Sequence, residues 1–421
     1  MIQKVDAIIV GAGFSGIYLT YQLKNMGLKI QTIESAPDVG GTWYWNRYPG
    51  ARCDVPSVEY SYNFSKEVRD EWNWSEKYSS QPEILRYAQF VADKYNLKEH
   101  IIFNTKVRNA VYNEESKTWK VFTDSDEIFE TDYFILATGG LSVPRIPNFK
   151  NMEDFTGELY HTGDWPKNPV DFKNKKVAVI GTGSSGIQAI PLIAEEALET
   201  TVFIRDSNYT LPSNNAPLTK EFIEEVKQNY EQIREIEKRS LGGQVFFNDK
   251  KIRPVKDYLN NFDLHNVPKS LGEMSQNEII NEFSENMGEG LGLLSCFPDL
   301  AYNPKSDKVM RDFLDTRIKN IVKDQDKAKI LIPRSGRYYD RRPVMDTFYY
   351  ETFNKENVFI VDVNSENIEN FTEKGIKTSQ KEYEFDVIVC ATGFDAMTGA
   401  INNIEIIGKN SKILKEKWDD G

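Results

Sequence analysis

An α/β fold is predicted by three features of the 421-residue sequence. Two glycine-rich turns, GAGFSG at 11–16 and GTGSSG at 181–186, each follow an apolar, β-branched run and open a helical pattern. The phrase Ala-Thr-Gly closes an apolar run twice, at 137–139 and at 391–393. From Pro217 to about Val322 the apolar residues recur at helical spacing instead. Together these features predict two Rossmann-like dinucleotide-binding domains with a helical insertion.

Composition narrows the function classes. Forty per cent hydrophobic and 12% aromatic residues are enough for several cores, and the length fits two or three domains at about 150 residues each. A net charge of −12 argues against nucleic acid or an anionic membrane surface as partner, because both reward basic patches. Bound dinucleotides are anionic too, but backbone dipoles at a helix N-terminus hold them without net positive charge. Cys53, Cys296 and Cys390 are widely spaced, with no CxxC and no metal spacing, which fits a reduced, cytoplasmic chain. The sequence enters a strand within a few residues, without a signal-peptide layout, and no apolar run reaches the ~20 residues of a membrane span.

The first frame is complete. Residues 5–10 read as a buried parallel strand, apolar except for Asp6. Gly11 makes the tight turn, Gly13 lets backbone approach a pyrophosphate, and Gly16 lets helix pack on strand. Leu19, Leu23 and Met26 form the expected buried stripe of the helix, which stops at Gly27. Glu34 ends the second strand about 20 residues beyond the turn, where an acid accepts from ribose hydroxyls. The run Thr42-Trp43-Tyr44-Trp45, followed by Pro49-Gly50, fits neither a regular strand nor an amphipathic helix. Val107 is expected on a strand covering 103–107.

The second frame begins with 177–180 and Gly181, Thr182, Gly183, Ser184, Ser185 and Gly186. Its second strand, 201–204, ends in Arg205-Asp206. An acid alone at that point favours NAD, because a carboxylate repels a 2′-phosphate, whereas an arginine favours NADP. In the helical stretch, Phe222, Val226, Tyr230 and Ile233 make one stripe, and Met310, Leu314, Ile318 and Ile321 another. Glycines around 288–292 and the phrase Cys296-Phe297-Pro298 separate them.

Between the frames lies Phe155-x-Gly157-x-x-x-His161-x-x-x-Trp165-Pro166. This pattern resembles the fingerprint of the Baeyer–Villiger monooxygenases, flavoenzymes that insert oxygen beside a ketone carbonyl. The resemblance covers nearly the whole chain, and it implies FAD in the first frame and NADP in the second. It implies FAD contacts for Thr42, Trp43, Tyr44 and Trp45, a place on the flavin's active face for Asp54 and Tyr60, and adenine contact for Val107. Arg205 matches the family's phosphate-binding arginine, and Asp206 replaces its usual threonine or serine. NADPH is therefore the expected reductant, with looser discrimination against NADH. The phrase 349–358 sets the register in which Arg342 falls on the catalytic arginine and Arg341 on a neighbouring lysine that assists NADP. The implied reaction takes a small-molecule ketone and O2 to an ester or lactone through a peroxyflavin anion, with Arg342 stabilising that anion and Asp54 holding Arg342 in place.

The domain expectation is 1–141 with 384–421 for FAD, 142–212 with 331–383 for the linker and NADP, and 213–330 for the helical insertion. Family members continue past Trp418, so the resemblance implies a chain without the family's C-terminal part, with weak FAD retention and poor solubility. Two alternatives stay open: a flavin monooxygenase acting on nitrogen or sulfur, and an inactive remnant that binds FAD and NADP. A pyridine nucleotide–disulfide reductase is disfavoured by the missing CxxC.

Overall fold

The structure is a computed structural model and describes residues 2–239, 254–256, 259, 270–286, 299–300, 302–342 and 344–418. The glycines at 288–292, the phrase 296–298 and Pro343 lie outside the described residues.

The first apolar run becomes strand β1 (Ile2–Val10), with Ala7, Ile8 and Ile9 fully buried. It feeds helix α1 (Phe14–Asn25) and returns in β2 (Ile30–Ile33). Strands β3 (Ile101–Ile102), β4 (Val107–Asn113), β5 (Thr118–Thr123) and β6 (Ile128–Leu136) extend the same sheet. β1 lies between β2 and β6 and is parallel to both. The chain then leaves for a second sheet, built on β7 (Glu158–His161), β8 (Lys176–Ile180) and β9 (Glu199–Ile204). A short parallel pair follows, β10 (Thr210–Pro212) with β11 (Val344–Asp346), which brings residues 134 positions apart side by side. β12 (Val358–Asp362) adds to the edge of β9, and β13 (Ile368–Thr372), β14 (Gly375–Thr378) and β15 (Glu382–Glu384) form an antiparallel meander. β16 (Val387–Cys390) inserts between β7 and β8, and β17 (Glu405–Ile407) pairs with β4. The sheet orders are β17-β4-β5-β6-β1-β2-β3 and β12-β9-β8-β16-β7.

The helical stripes form as their spacing requires. Phe222 and Val226 are buried on Lys220–Gln228, Ile233 on Tyr230–Glu237, and Met310, Leu314 and Ile318 on Pro304–Ile321.

Four expectations are corrected. The buried face of α1 is Gly16, Ile17 and Thr20, while Met26 is 70% exposed. On this face the Thr20 hydroxyl meets that of Thr32 at 2.7 Å, and Leu19 and Leu23 are half-buried. The aromatic run Thr42–Trp45 is a one-turn helix, α2, rather than irregular chain. Val107 opens β4, but the residues before it turn through a left-handed Asn104. Finally, Val387–Cys390 belongs to the second sheet and not to the first. Four apolar residues buried on both faces need parallel neighbours on both sides, and β7 and β8 supply them. The return to the first sheet comes only with β17.

That correction exposes a repeated construction. In each sheet the glycine-turn strand runs parallel to an Ala-Thr-Gly strand: β1 beside β6, and β8 beside β16. Gly11 has φ +104°, and a Cβ there would lie 2.5 Å from the Ala137 carbonyl oxygen. Gly181 has φ +108° and the same 2.5 Å approach to the Ala391 carbonyl. The helices close in equally tightly, since a Cβ on Gly16 would sit 1.8 Å from the Gly11 oxygen and one on Gly186 2.3 Å from the Gly181 oxygen. Gly183, by contrast, has open space around it. Gly16→Ala is therefore expected to cost about 1–3 kcal/mol by urea unfolding, and Gly183→Ala to stay within about 0.5 kcal/mol of the parent. Equal losses would show that the glycine-turn packing is not what demands Gly16.

Candidate active site

A cavity of about 750 Å³ opens at the C-terminal ends of the first sheet. Gly11, Gly13, Glu34, Thr42, Trp43, Trp45, Tyr60 and Val107 line it, together with Ala137, Thr138 and Gly139. Its size falls within the range of small-molecule and cofactor sites. α1 points its N-terminus here, so its unpaired amides favour an anion. The Glu34 carboxylate is mostly spent on the protein itself, accepting from Ala12 N at 2.6 Å and Ala36 N at 2.7 Å. Burial raises its pKa despite those bonds. It braces the glycine turn while bordering the cavity.

α2 splits its aromatics. Trp43 and Trp45 face the cavity, and Trp43 Nε1 donates to the Tyr60 hydroxyl at 3.0 Å. Tyr44, which the resemblance assigns to FAD contact, is not among the residues that line the cavity. A helical turn sends neighbouring side chains to different faces. Tyr44 is buried elsewhere, its ring facing the Arg47 guanidinium at 4.7 Å and the Lys167 ammonium at 5.4 Å.

Behind Tyr60 the two halves of the chain meet. Arg342 Nη2 donates to Asp54 Oδ1 at 2.9 Å, although the residues are 288 positions apart. Arg342 is 59% exposed and Asp54 28%. Burial raises the Asp54 pKa, and the Arg342 charge pulls it part of the way back. The neighbouring Cys53 thiol and Tyr60 hydroxyl are each pushed up to about 12, chiefly by burial, and so remain neutral. A smaller cavity of about 130 Å³ touches Asp54, Cys53, Gln188 and Phe348. Gln188 sits on helix α3 (Ser184–Glu196), accepts from the Tyr48 hydroxyl at 2.8 Å and donates to the Arg52 carbonyl at 3.0 Å. The loop carrying Asp54 is thus tied to the second glycine-turn helix, whose first turn contains Ser184 and Ser185.

At the second frame, Thr182 Oγ1 donates to the Asp206 carbonyl at 2.9 Å, and Arg341 reaches across to the Asp206 carboxylate. Arg205 is exposed at the end of β9. Gly181 and Gly186 repeat the geometry of Gly11 and Gly16, so the same glycine turn into a helix N-terminus is present twice.

The fingerprint residues form a brace between the frames. Phe155 packs edge-on to Phe371, and a Cβ on Gly157 would lie 2.4 Å from the Phe155 ring. Trp165 is buried against Tyr160 and Phe172 just before Pro166. His161 Nδ1 accepts from Gly163 N at 3.0 Å, so Nε2 carries the proton and faces Thr392 Oγ1 at 3.1 Å. Burial lowers the His161 pKa, consistent with a neutral ring. Thr392 passes the bond on to the Arg145 carbonyl at 2.7 Å. Gly163 and Asp164 then border the large cavity.

Sequence reasoning missed the mount beneath Arg342. Asn208 Nδ2 donates to the Arg342 carbonyl at 2.9 Å, Arg341 Nη1 to the Ser207 carbonyl at 2.7 Å, and Val344 N to the Tyr209 carbonyl at 3.3 Å. Thr210 then bonds the buried Asp346 carboxylate, which also accepts from Tyr349 N at 3.1 Å. An acid in the otherwise apolar phrase Val344-Met345-Asp346 was the available signal.

A family model described as pyridine nucleotide-disulphide oxidoreductase matches residues 8–259. The chain is 39% identical to 2-oxo-Delta(3)-4,5,5-trimethylcyclopentenylacetyl-CoA monooxygenase of Pseudomonas putida, covering 99% of this chain and 75% of that protein. It is 38% identical to a Baeyer-Villiger monooxygenase of Pseudooceanicola batsensis, covering 99% and 73%. It superposes on the crystal structure of OTEMO in complex with FAD and NADP with a TM-score of 0.92, 38% identity, and coverage of 100% and 77%. Among the described residues no helix is long and apolar enough to cross a membrane, and no group of acidic, His and Cys side chains could hold a metal ion.

Arg342→Ala removes the attraction that draws the Asp54 pKa down, so that pKa should rise further. A carboxyl with a raised folded pKa contributes stability below its unfolded value, about 3.9, that is lost as pH rises through the folded value. The variant's stability relative to the parent should therefore fall as pH rises from the parent's already raised Asp54 pKa through the variant's higher one. Urea midpoints at several pH values check this, and a pH-independent difference would contradict the coupling.

Proposed function

The chain belongs to the Baeyer–Villiger monooxygenases, and we propose that it oxidises its ketone through an Arg342 guanidinium held in place by Asp54. The activity uses NADPH, O2 and FAD and yields an ester or lactone. The single observation carrying the assignment of these two residues is their 2.9 Å ion pair, whose Asp54 lines the smaller cavity and acts on Tyr60 in the wall of the large one. When bound, FAD reduced by NADPH supplies the oxygen-activating chemistry.

The protein's part is to bind, orient and stabilise charge. Gly11, Gly13 and the N-terminus of α1 would cradle the FAD pyrophosphate, and Val107 would border the adenine. Trp43, Trp45 and Thr42 form the flavin wall, and the bond from Trp43 to Tyr60 fixes that wall's far corner. Tyr44 acts indirectly by seating α2. Residues 181–186 would cradle the NADP pyrophosphate, and Arg205 and Arg341 would supply the cations for its 2′-phosphate.

Arg342 stays cationic at any working pH and offers five N–H donors. Among the described residues its side chain makes one bond, to Asp54, and the other donors remain for the substrate side. Negative charge that develops on oxygen at the ketone carbonyl meets these fixed donors without a reorganisation cost. Asp54 contributes orientation, because a charge-assisted bond selects one guanidinium rotamer from many. Neutral Cys53 and Tyr60 beside it add no competing charge. We place the protein in the cytoplasm, where the free buried thiols of Cys53 and Cys390 persist.

Arg342→Ala should retain FAD and still oxidise NADPH, while ester formation falls by about 10²–10³ in turnover. Product analysis by gas chromatography on a panel of linear, cyclic and aryl ketones measures this. Normal ester yield would remove Arg342 from the mechanism, and a sulfide oxidised in preference to every ketone would redirect the assignment to sulfur chemistry.

A further inference from the structure

Asp206 follows Arg205 at the end of β9, and its carboxylate takes up donors that an anion arriving from solvent would need. Arg341 Nη2 and Ser335 Oγ donate to Oδ2, the latter at 3.3 Å, and Arg334 N donates to Oδ1 at 3.3 Å. Burial works against the charge on Asp206, but these donors hold its pKa below the ordinary value. The carboxylate is therefore a settled anion. Arg334 turns its own guanidinium to Asp362, and among the described residues Arg205, exposed at the same corner, makes no ion pair.

An aspartate that received ribose hydroxyls would keep its oxygens open to them. Here both oxygens point into a ring of donors instead. We infer that Asp206 is an internal occupant of the anion pocket that receives the 2′-phosphate of NADPH, and that its hold on Arg341 and Ser335 limits the preference for NADPH over NADH. The inference rests on reading this frame as the NADP site. A phosphate must share Arg341 with the carboxylate or displace it, and two anions on one cation repel. NADH has no phosphate at this position and loses nothing. Asp206 is thus a determinant of reductant selectivity built into this chain, at a position where the family pattern has a neutral hydroxyl.

The test separates phosphate recognition from catalysis by using two fragments, 2′,5′-ADP and 5′-AMP. Calorimetric titrations of the FAD-loaded protein compare the parent with Asp206→Ser, Asp206→Asn, Arg341→Ala and the Asp206→Ser/Arg341→Ala double variant. Removing the carboxylate charge should tighten 2′,5′-ADP roughly fivefold or more, the effect of losing one like charge beside a bound anion near the surface. Affinity for 5′-AMP should not change. Asp206→Asn keeps the shape and should show the same gain, which in the Arg341→Ala background should shrink. If both Asp206 variants leave 2′,5′-ADP affinity unchanged, or tighten both fragments equally, the inference fails while the NADP assignment stands. If the parent binds neither fragment, the NADP assignment falls and this inference with it.

Discussion

The ion pair between Asp54 and Arg342 is where the two halves of the molecule are obliged to agree. Asp54 sits on a loop of the first frame that α3 grips, and Arg342 is fastened by the segment after β9, so the 2.9 Å contact exists only if both mounts are accurate. With Arg342 59% exposed, the pair adds little to folding stability, on the order of 0–1 kcal/mol for a solvent-accessible bridge. Its worth lies in direction. A flexible four-torsion side chain is held to one orientation by a carboxylate that lies next to Tyr60 in the wall of the large cavity.

The mounts explain how so weak a bond can be well placed. On one side, residues 207–210 fasten residues 341–346 through Ser207, Asn208, Tyr209 and Thr210, so Arg342 projects from a backbone with few ways to move. On the other, Gln188 grips the Tyr48–Arg52 loop from α3. Gly50 permits that grip, since its φ of +79° and a would-be Cβ 2.3 Å from the Gln188 carbonyl exclude any side chain. The same physical device, backbone packed on backbone through glycine, also builds both dinucleotide frames. Residues 205–206 and 341–342 lie side by side at the N-terminal ends of the two fastened segments, so the Asp206–Arg341 contact and the Arg342 corner share one element.

Local chemistry was legible in the sequence, and long-range pairing was not. Gly11, Gly16, Gly181 and Gly186 could be read because a turn that tight has few alternatives, and the spacing of Phe222 with Val226 or Met310 with Leu314 revealed helices directly. Family resemblance then brought Asp54 and Arg342 together on paper. What escaped were facts set by packing partners. Leu19, Leu23 and Met26 looked like a core stripe, but the buried face runs through Gly16, Ile17 and Thr20, with a Thr20–Thr32 bond on it. Tyr44 looked like its tryptophan neighbours until a one-turn helix pointed it elsewhere. The run at 387–390 has the same composition as a first-sheet strand, and only the register of β7 and β8 assigns it to the second. The burial of Asp346 and the ring of donors around Asp206 depend on contacts more than 120 residues away, which no local window contains.

The central claim is that Asp54 works through Arg342 and not independently of it. A double-mutant cycle on ester turnover, with Asp54→Asn, Arg342→Ala and the double variant, measures that dependence directly. The account predicts that Asp54→Asn slows ester formation in the parent and does nothing further once Arg342 is gone, so the double variant matches Arg342→Ala. Losses that simply multiply, with the double variant slower than either single by the product of the two, would contradict it.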